Sequence, residues 1–143
     1  MDFVIHSEKE MNQVAKKIAP LLNKGDVVAL YGTLGVGKTT LVRAIVRTFL
    51  GQRTDVPSPT FTLLQTYETK KYPIYHFDFY RLKSPNEAYE IGIEDAFASG
   101  VSFVEWPEKI GNLLPKKHIA VRIDMIPDGR AIYIQGLPHE NKK

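Results

Sequence analysis

The 143 residues include no cysteine. That excludes a disulfide framework and any thiolate metal site, and it suits a reducing cytosol. Long apolar runs are also missing, so no stretch approaches the length that spans a membrane. Charge of either sign is unremarkable: 24% of residues are charged, with a formal net charge of +3. Such a balance permits contact with an acidic partner or RNA but does not argue for one. The opening residues Met1-Asp2-Phe3-Val4-Ile5-His6 are neither basic nor long enough to read as a signal peptide. No repeat, low-complexity tract or linker breaks the chain. With 43% apolar residues, one domain over 1–138 and a short loose tail from His139 are expected. Three chemical signatures are absent as well. There is no Asn-Lys-x-Asp to read guanine, no Asp-x-x-Gly after Asp78, and no His/Cys metal cluster.

What is present is organised around Gly32 to Thr40, which reads G-T-L-G-V-G-K-T-T. It fits G-x-x-x-x-G-K-[ST], with Gly32, Gly37, Lys38 and Thr39 at the fixed positions and Thr33, Leu34, Gly35 and Val36 between them. An apolar run, Val27 to Tyr31, precedes it and a helical pattern, Leu41 to Leu50, follows. That strand, loop and helix order is the context a phosphate-binding loop needs. The glycines let backbone N–H groups curl inward, and the helix start adds free N–H groups and a positive dipole end. Lys38 would then reach the β- and γ-phosphates, Thr39 a bridging magnesium, and Thr40 the α-phosphate level. Without a guanine reader, ATP is the default nucleotide.

The remaining elements follow from periodicity and punctuation. Phe3 to Ile5 reads as a strand. Ser7 and Glu10 read as a capping box for a helix carrying Met11, Val14, Ala15, Ile18, Leu21 and Leu22, with Pro20 late in it. Pro57 and Pro59 demand a stiff loop, after which Thr60 to Tyr67 has strand composition. Ile74 to Asp78 and Val101 to Glu105 read as strands, with short helical pieces broken at Gly92 between them. His118 to Met125 and Ala131 to Gln135 read as a hairpin around Pro127-Asp128-Gly129. Strands separated by crossover helices predict an α/β fold of the P-loop NTPase class: three layers, a mostly parallel central sheet and an antiparallel C-terminal hairpin.

Ligands in such sheets sit at the carboxyl ends of the strands, so residues that end strands are the candidates. Asp78 has the Walker B form and could hold magnesium opposite the loop hydroxyl, or simply cap the next turn. Glu105 could ligate magnesium, polarise the attacking water, or be an exposed strand-end acid. Thr60 in Ser58-Pro59-Thr60 stands where P-loop switches place a phosphate-sensing threonine, or it merely starts a strand. Trp106, the only tryptophan, is a core or rim aromatic, or packs near the nucleotide or a partner surface. His76 reads as a satisfied structural histidine, Arg43 and Arg47 as a solvated helix face or, second to that, an RNA or partner patch, and Arg81 as reaching a phosphate or an ion pair.

Taken together, G-T-L-G-V-G-K-T-T, S-P-T-F-T-L, Y-H-F-D-F-Y-R-L, G-I-E-D and V-E-W-P-E resemble the TsaE (YjeE) family in order and spacing, from the first helix to about Leu114. The resemblance implies a cytoplasmic, magnesium-dependent bacterial ATPase, weak alone, needed for threonylcarbamoyladenosine in tRNA. It implies work with the TsaD and TsaB proteins, contact with tRNA only through that complex, and a monomer when free. TsaD would carry out the transfer, and hydrolysis here would reset the complex. Carried onto this chain, the phosphate loop falls on Gly32 to Thr40, the switch threonine on Thr60, the Walker B acid on Asp78 and the second magnesium or water-activating acid on Glu105. The tryptophan beside that acid falls on Trp106. The start of the first helix, Ser7 or Glu8, would touch the nucleotide, although Met11 stands where many members have threonine. Two rival readings share the loop: a small-molecule kinase, and a nucleotide-gated binding module that does not hydrolyse.

Overall fold

Ser7 starts the first helix by an ordinary N-cap: its Oγ accepts the Glu10 backbone N–H at 3.2 Å. Such a cap contributes about 1 kcal/mol. The reciprocal half of the expected box is displaced by one residue, because the Glu10 carboxylate takes the N–H of His6. The helix buries Met11, Val14, Ala15 and Ile18, then tightens at Pro20 into one 3-10 turn, Ala19–Leu21.

The computed structural model describes residues 1–138; the tail expected from His139 lies outside them. In chain order the elements are β1 (Asp2–Ile5), α1 (Glu8–Ile18), β2 (Val27–Tyr31), α2 (Lys38–Leu50), β3 (Leu64–Tyr67), β4 (Ile74–Asp78), α3 (Pro85–Glu90), α4 (Ile93–Ser99), β5 (Val101–Glu105), β6 (Ile119–Ile126) and β7 (Gly129–Gln135). The strands form one sheet in the order β1-β7-β6-β2-β5-β4-β3. Its centre is parallel: β6, β2, β5 and β4 run the same way. The edges are antiparallel, with β7 and β1 on one side and β3 on the other.

Alternation along the central strands divides the core. Val28, Leu30, Ile74, Val101 and Phe103 face α1 and α2. Val27, Phe77 and Val104 face the layer of α3, α4 and a 3-10 segment, Pro107–Leu113. Near-continuous burial of β2, β4 and β5 is the mark of parallel strands covered on both faces. The result is the expected three-layer α/β arrangement of P-loop NTPases, with an antiparallel hairpin at the C-terminal end. Among the described residues no helix is long and apolar enough to cross a membrane.

One expected element is shorter than its composition suggests. The strand read from Thr60 starts only at Leu64. Thr60 to Leu63 instead form a turn closed by the Leu63 N–H on the Pro59 carbonyl at 2.7 Å. Leu63 adopts φ 68°, a left-handed conformation that no propensity scale assigns to leucine. The Asp78 N–H donates to the Leu63 carbonyl at 3.1 Å, so the turn is also fixed to the end of β4.

Candidate functional site

The loop between β2 and α2 needs glycine for two different reasons. Gly37, with φ 118°, caps α2 and turns the chain into it. At Gly32 the demand is also one of space. A β-carbon there would lie 2.7 Å from the Ile123 carbonyl oxygen and 2.8 Å from Val36 Cγ1. Thr33, Leu34 and Gly35 are exposed, while Val36 is buried beneath the loop. The Lys38 ammonium folds back over it, donating to the Gly32 carbonyl at 2.7 Å and standing 3.9 Å from the centre of the Trp106 ring. Only 3% of Lys38 is exposed. Burial pushes its pKa down from the usual lysine value, against the opposing pull of Glu105, Glu108 and Asp78.

Two acids end neighbouring strands beside this loop. β5 pairs directly with β2, Leu30 opposite Glu105, and β4 lies one strand further out, Asp78 opposite Glu105. That register decides which acid meets the loop. The Thr39 hydroxyl donates to Glu105 Oε2 at 2.7 Å. The His76 Nε2 stands 2.6 Å from the same oxygen. Asp78 is engaged elsewhere: Oδ2 accepts the Thr60 hydroxyl at 3.0 Å and Oδ1 the Tyr80 N–H at 3.0 Å. Ser58 Oγ lies 2.8 Å from Thr60 Oγ1, extending the chain of hydroxyls. Trp106 follows Glu105 in a left-handed conformation, φ 58°, which turns its ring under Lys38 and against Tyr80, 5.1 Å between ring centres.

This donor set suits magnesium. It is all oxygen, two carboxylates and a hydroxyl. Magnesium is commonly held by one or two carboxylates together with the phosphates it bridges. Two buried acids against one lysine also leave room for added positive charge.

The family model described as "Threonylcarbamoyl adenosine biosynthesis protein TsaE" matches residues 5–132. The chain belongs to the TsaE family. Its relatives named "tRNA threonylcarbamoyladenosine biosynthesis protein TsaE" include those of Rickettsia bellii and Haemophilus influenzae. They are 44% and 40% identical over 129 and 134 residues, each spanning 90% of this chain and 90% and 84% of their own lengths. The crystal structure of YdiB from Bacillus subtilis is similar at 29% identity with a TM-score of 0.78, over 96% of this chain and 86% of that one.

In this TsaE family member the residues singled out from the sequence fall into two groups. Lys38, Thr39, Glu105 and Trp106 meet at the loop, with Thr60 and Asp78 bonded to each other on the adjoining strand end. Ser7, Glu8 and Thr40 lie further along, lining a cleft of about 460 Å³ with His6, Met11 and Arg130. The Ser7 hydroxyl is already committed as a helix cap.

Five residues sit differently from what the sequence suggested. His76 is not a satisfied structural histidine: it sits on Glu105, and its Nδ1 has no partner. Its place on the same strand face as Asp78 is the only signal that pointed there. Arg130 Nε donates to the Val36 carbonyl at 2.7 Å, tying β7 to the phosphate loop. Arg43 and Arg47 are not simply solvated; they donate to the Val56 and Thr54 carbonyls at 3.1 and 3.0 Å and hold the loop that leads to Thr60. Arg81 lies over the exposed Phe61 ring, 4.5 Å from its centre, and pairs with no acid among the described residues.

Proposed function

We propose that this chain binds ATP with magnesium, hydrolyses it slowly, and serves threonylcarbamoyladenosine modification of tRNA together with the TsaD and TsaB proteins. The observation that carries the reading is the 2.7 Å hydrogen bond from Thr39 to Glu105. A hydroxyl that gives its proton to a carboxylate keeps its lone pairs free for a cation. Magnesium, when bound, supplies positive charge that neutralises the phosphate oxygens.

The chain's own groups do the rest. The loop amides and the start of α2 present N–H donors to phosphate. Lys38 exchanges a neutral carbonyl, that of Gly32, for an anionic oxygen, a stronger charge-assisted partner. Thr39 and Glu105 would hold the metal, with Asp78 as the outer acid. Glu105 orients the attacking water, and Thr60 couples the switch turn to Asp78. Ser7, Glu8 and Thr40 bound a cleft large enough for the rest of the nucleotide. Trp106 closes the wall behind the ammonium.

One lysine is a sparse complement of cations for phosphoryl transfer, so a slow rate alone fits a site that a partner completes. TsaD carries out transfer onto adenosine, and hydrolysis here resets the complex between turnovers. The free chain is a monomer, meets tRNA only through the complex, and works in the cytoplasm. ATP turnover measured alone and with TsaB and TsaD tests the reading. A rise of at least about tenfold is expected on the scale of completing groups; equal rates would remove partner completion. Depleting the protein in its host should lower threonylcarbamoyladenosine in tRNA, and unchanged modification would remove the role.

A further inference from the structure

His76 is wholly buried, on the same face of β4 as Asp78, and 29 residues from the acid it touches. Its two ring nitrogens differ sharply. Nε2 is 2.6 Å from Glu105 Oε2, while Nδ1 is buried with no partner among the described residues. A proton on Nδ1 would be an orphaned donor inside the core, and would leave Nε2 facing a carboxylate oxygen lone pair to lone pair. With the proton on Nε2 the ring donates to Glu105 and only an acceptor is left unpaired. The geometry therefore selects the Nε2–H tautomer.

That donor has a directional consequence. Glu105 Oε2 accepts from His76 on one side and from Thr39 on the other. Oε1 carries neither bond. A glutamate has three side-chain torsions, and the hydroxyl of Thr39 alone would not stop the carboxylate from turning. The imidazole, held rigidly by the strand and the surrounding core, supplies the second point.

We propose that His76 is a positioning residue for the cation site. By donating to Oε2 it fixes the Glu105 carboxylate, and so keeps the Thr39 hydroxyl proton turned away from the phosphate loop. This rests on the reading of Glu105 and Thr39 as the metal-side pair. The same logic holds for histidines and carboxylates that stand behind metal ligands, where losing the outer partner commonly lowers metal affinity by about 10–100-fold.

The test compares His76→Phe, which keeps the ring but cannot donate, with His76→Gln, whose amide N–H can stand in for Nε2–H. ATP binding is measured by calorimetry while magnesium is titrated, and again in excess chelator. His76→Phe should raise the magnesium needed for half-maximal binding about tenfold or more. Metal-free nucleotide affinity should stay within about twofold, since the loop amides and Lys38 supply it. His76→Gln should recover most of the loss. An unchanged magnesium requirement in His76→Phe, or an equal fall with and without metal, would overturn the proposal. A second measurement needs no variant: imidazole nitrogen NMR of the wild-type protein should show the His76 proton on Nε2, and a proton on Nδ1 would overturn it even if His76→Phe does not fold. Failure of the wild-type protein to bind ATP with magnesium at all would instead strike the functional reading, leaving the tautomer result to stand by itself.

Discussion

Lys38 is a charge that the folded chain keeps under strain. Its ammonium is almost wholly out of water and is held by one carbonyl and one ring face. Burial outweighs the neighbouring acids and lowers its pKa. Replacing it should therefore separate stability from function. Lys38→Met is expected to raise Tm of the nucleotide-free protein by about 2–4 °C, the shift of roughly 1 kcal/mol in a chain of this size, while ATP affinity falls at least about tenfold, the loss of a charge-assisted contact. Thermal scans and calorimetric titration check both halves. A lower Tm would mean that the Gly32 and Trp106 contacts outweigh desolvation. At this scale the sequence was most legible for groups whose chemistry needs fixed spacing along the chain: Gly32, Gly37, Lys38 and Thr39 announce themselves. His76 and Arg130 did not, because their partners lie 29 and 94 residues away.

Among the elements, the turn from Pro59 to Leu63 and the phosphate loop share one design. Each is irregular, and each is tied down by groups from another element. Arg130 holds the phosphate loop through the Val36 carbonyl, and Arg43 and Arg47 hold the approach to Thr60 through Val56 and Thr54. Arg130→Ala should loosen the loop while leaving the hairpin paired. The expected result is faster amide exchange at Gly35 to Gly37 and ATP affinity reduced by about tenfold, the cost of a half-buried bond to a charged group. Unchanged exchange would show that the glycine conformations hold the loop unaided. Element identity was largely legible here, since strand and helix periodicities are local. The start of β3 was not. Threonine and phenylalanine at 60–62 have strand composition, but the Asp78 N–H fixes the Leu63 carbonyl and turns the chain.

For the molecule as a whole, the parallel centre was readable from strands ending in acids around a crossover helix. The strand order was not, since β6 reaches β2 only after β3, β4 and β5 have been laid down on the other side. Core burial has one consequence that shows in bulk. Tyr72 is pushed up to about 12, first by burial and then by Asp26. Burial also raises Tyr31, with Glu108 adding to it, and Tyr67, with Asp55 adding to it. These three hydroxyls thus hold their protons more tightly in the folded chain than in the unfolded one, where tyrosine ionises near 10. The stability they contribute is whole below pH 10 and is lost as pH rises towards 12. Urea midpoints should hold up to about pH 10 and then fall, and Tyr72→Phe should recover on the order of 1–2 kcal/mol of that loss. A flat profile above pH 10 would contradict the burial of these hydroxyls.

Trp106 is the sole indole in the chain, and a cation rests on its face at 3.9 Å. Whatever draws that ammonium towards a phosphate uncovers the ring. Light emission from one side chain should then shift as the nucleotide enters, so the unlabelled protein carries its own optical gauge of whether the site is filled.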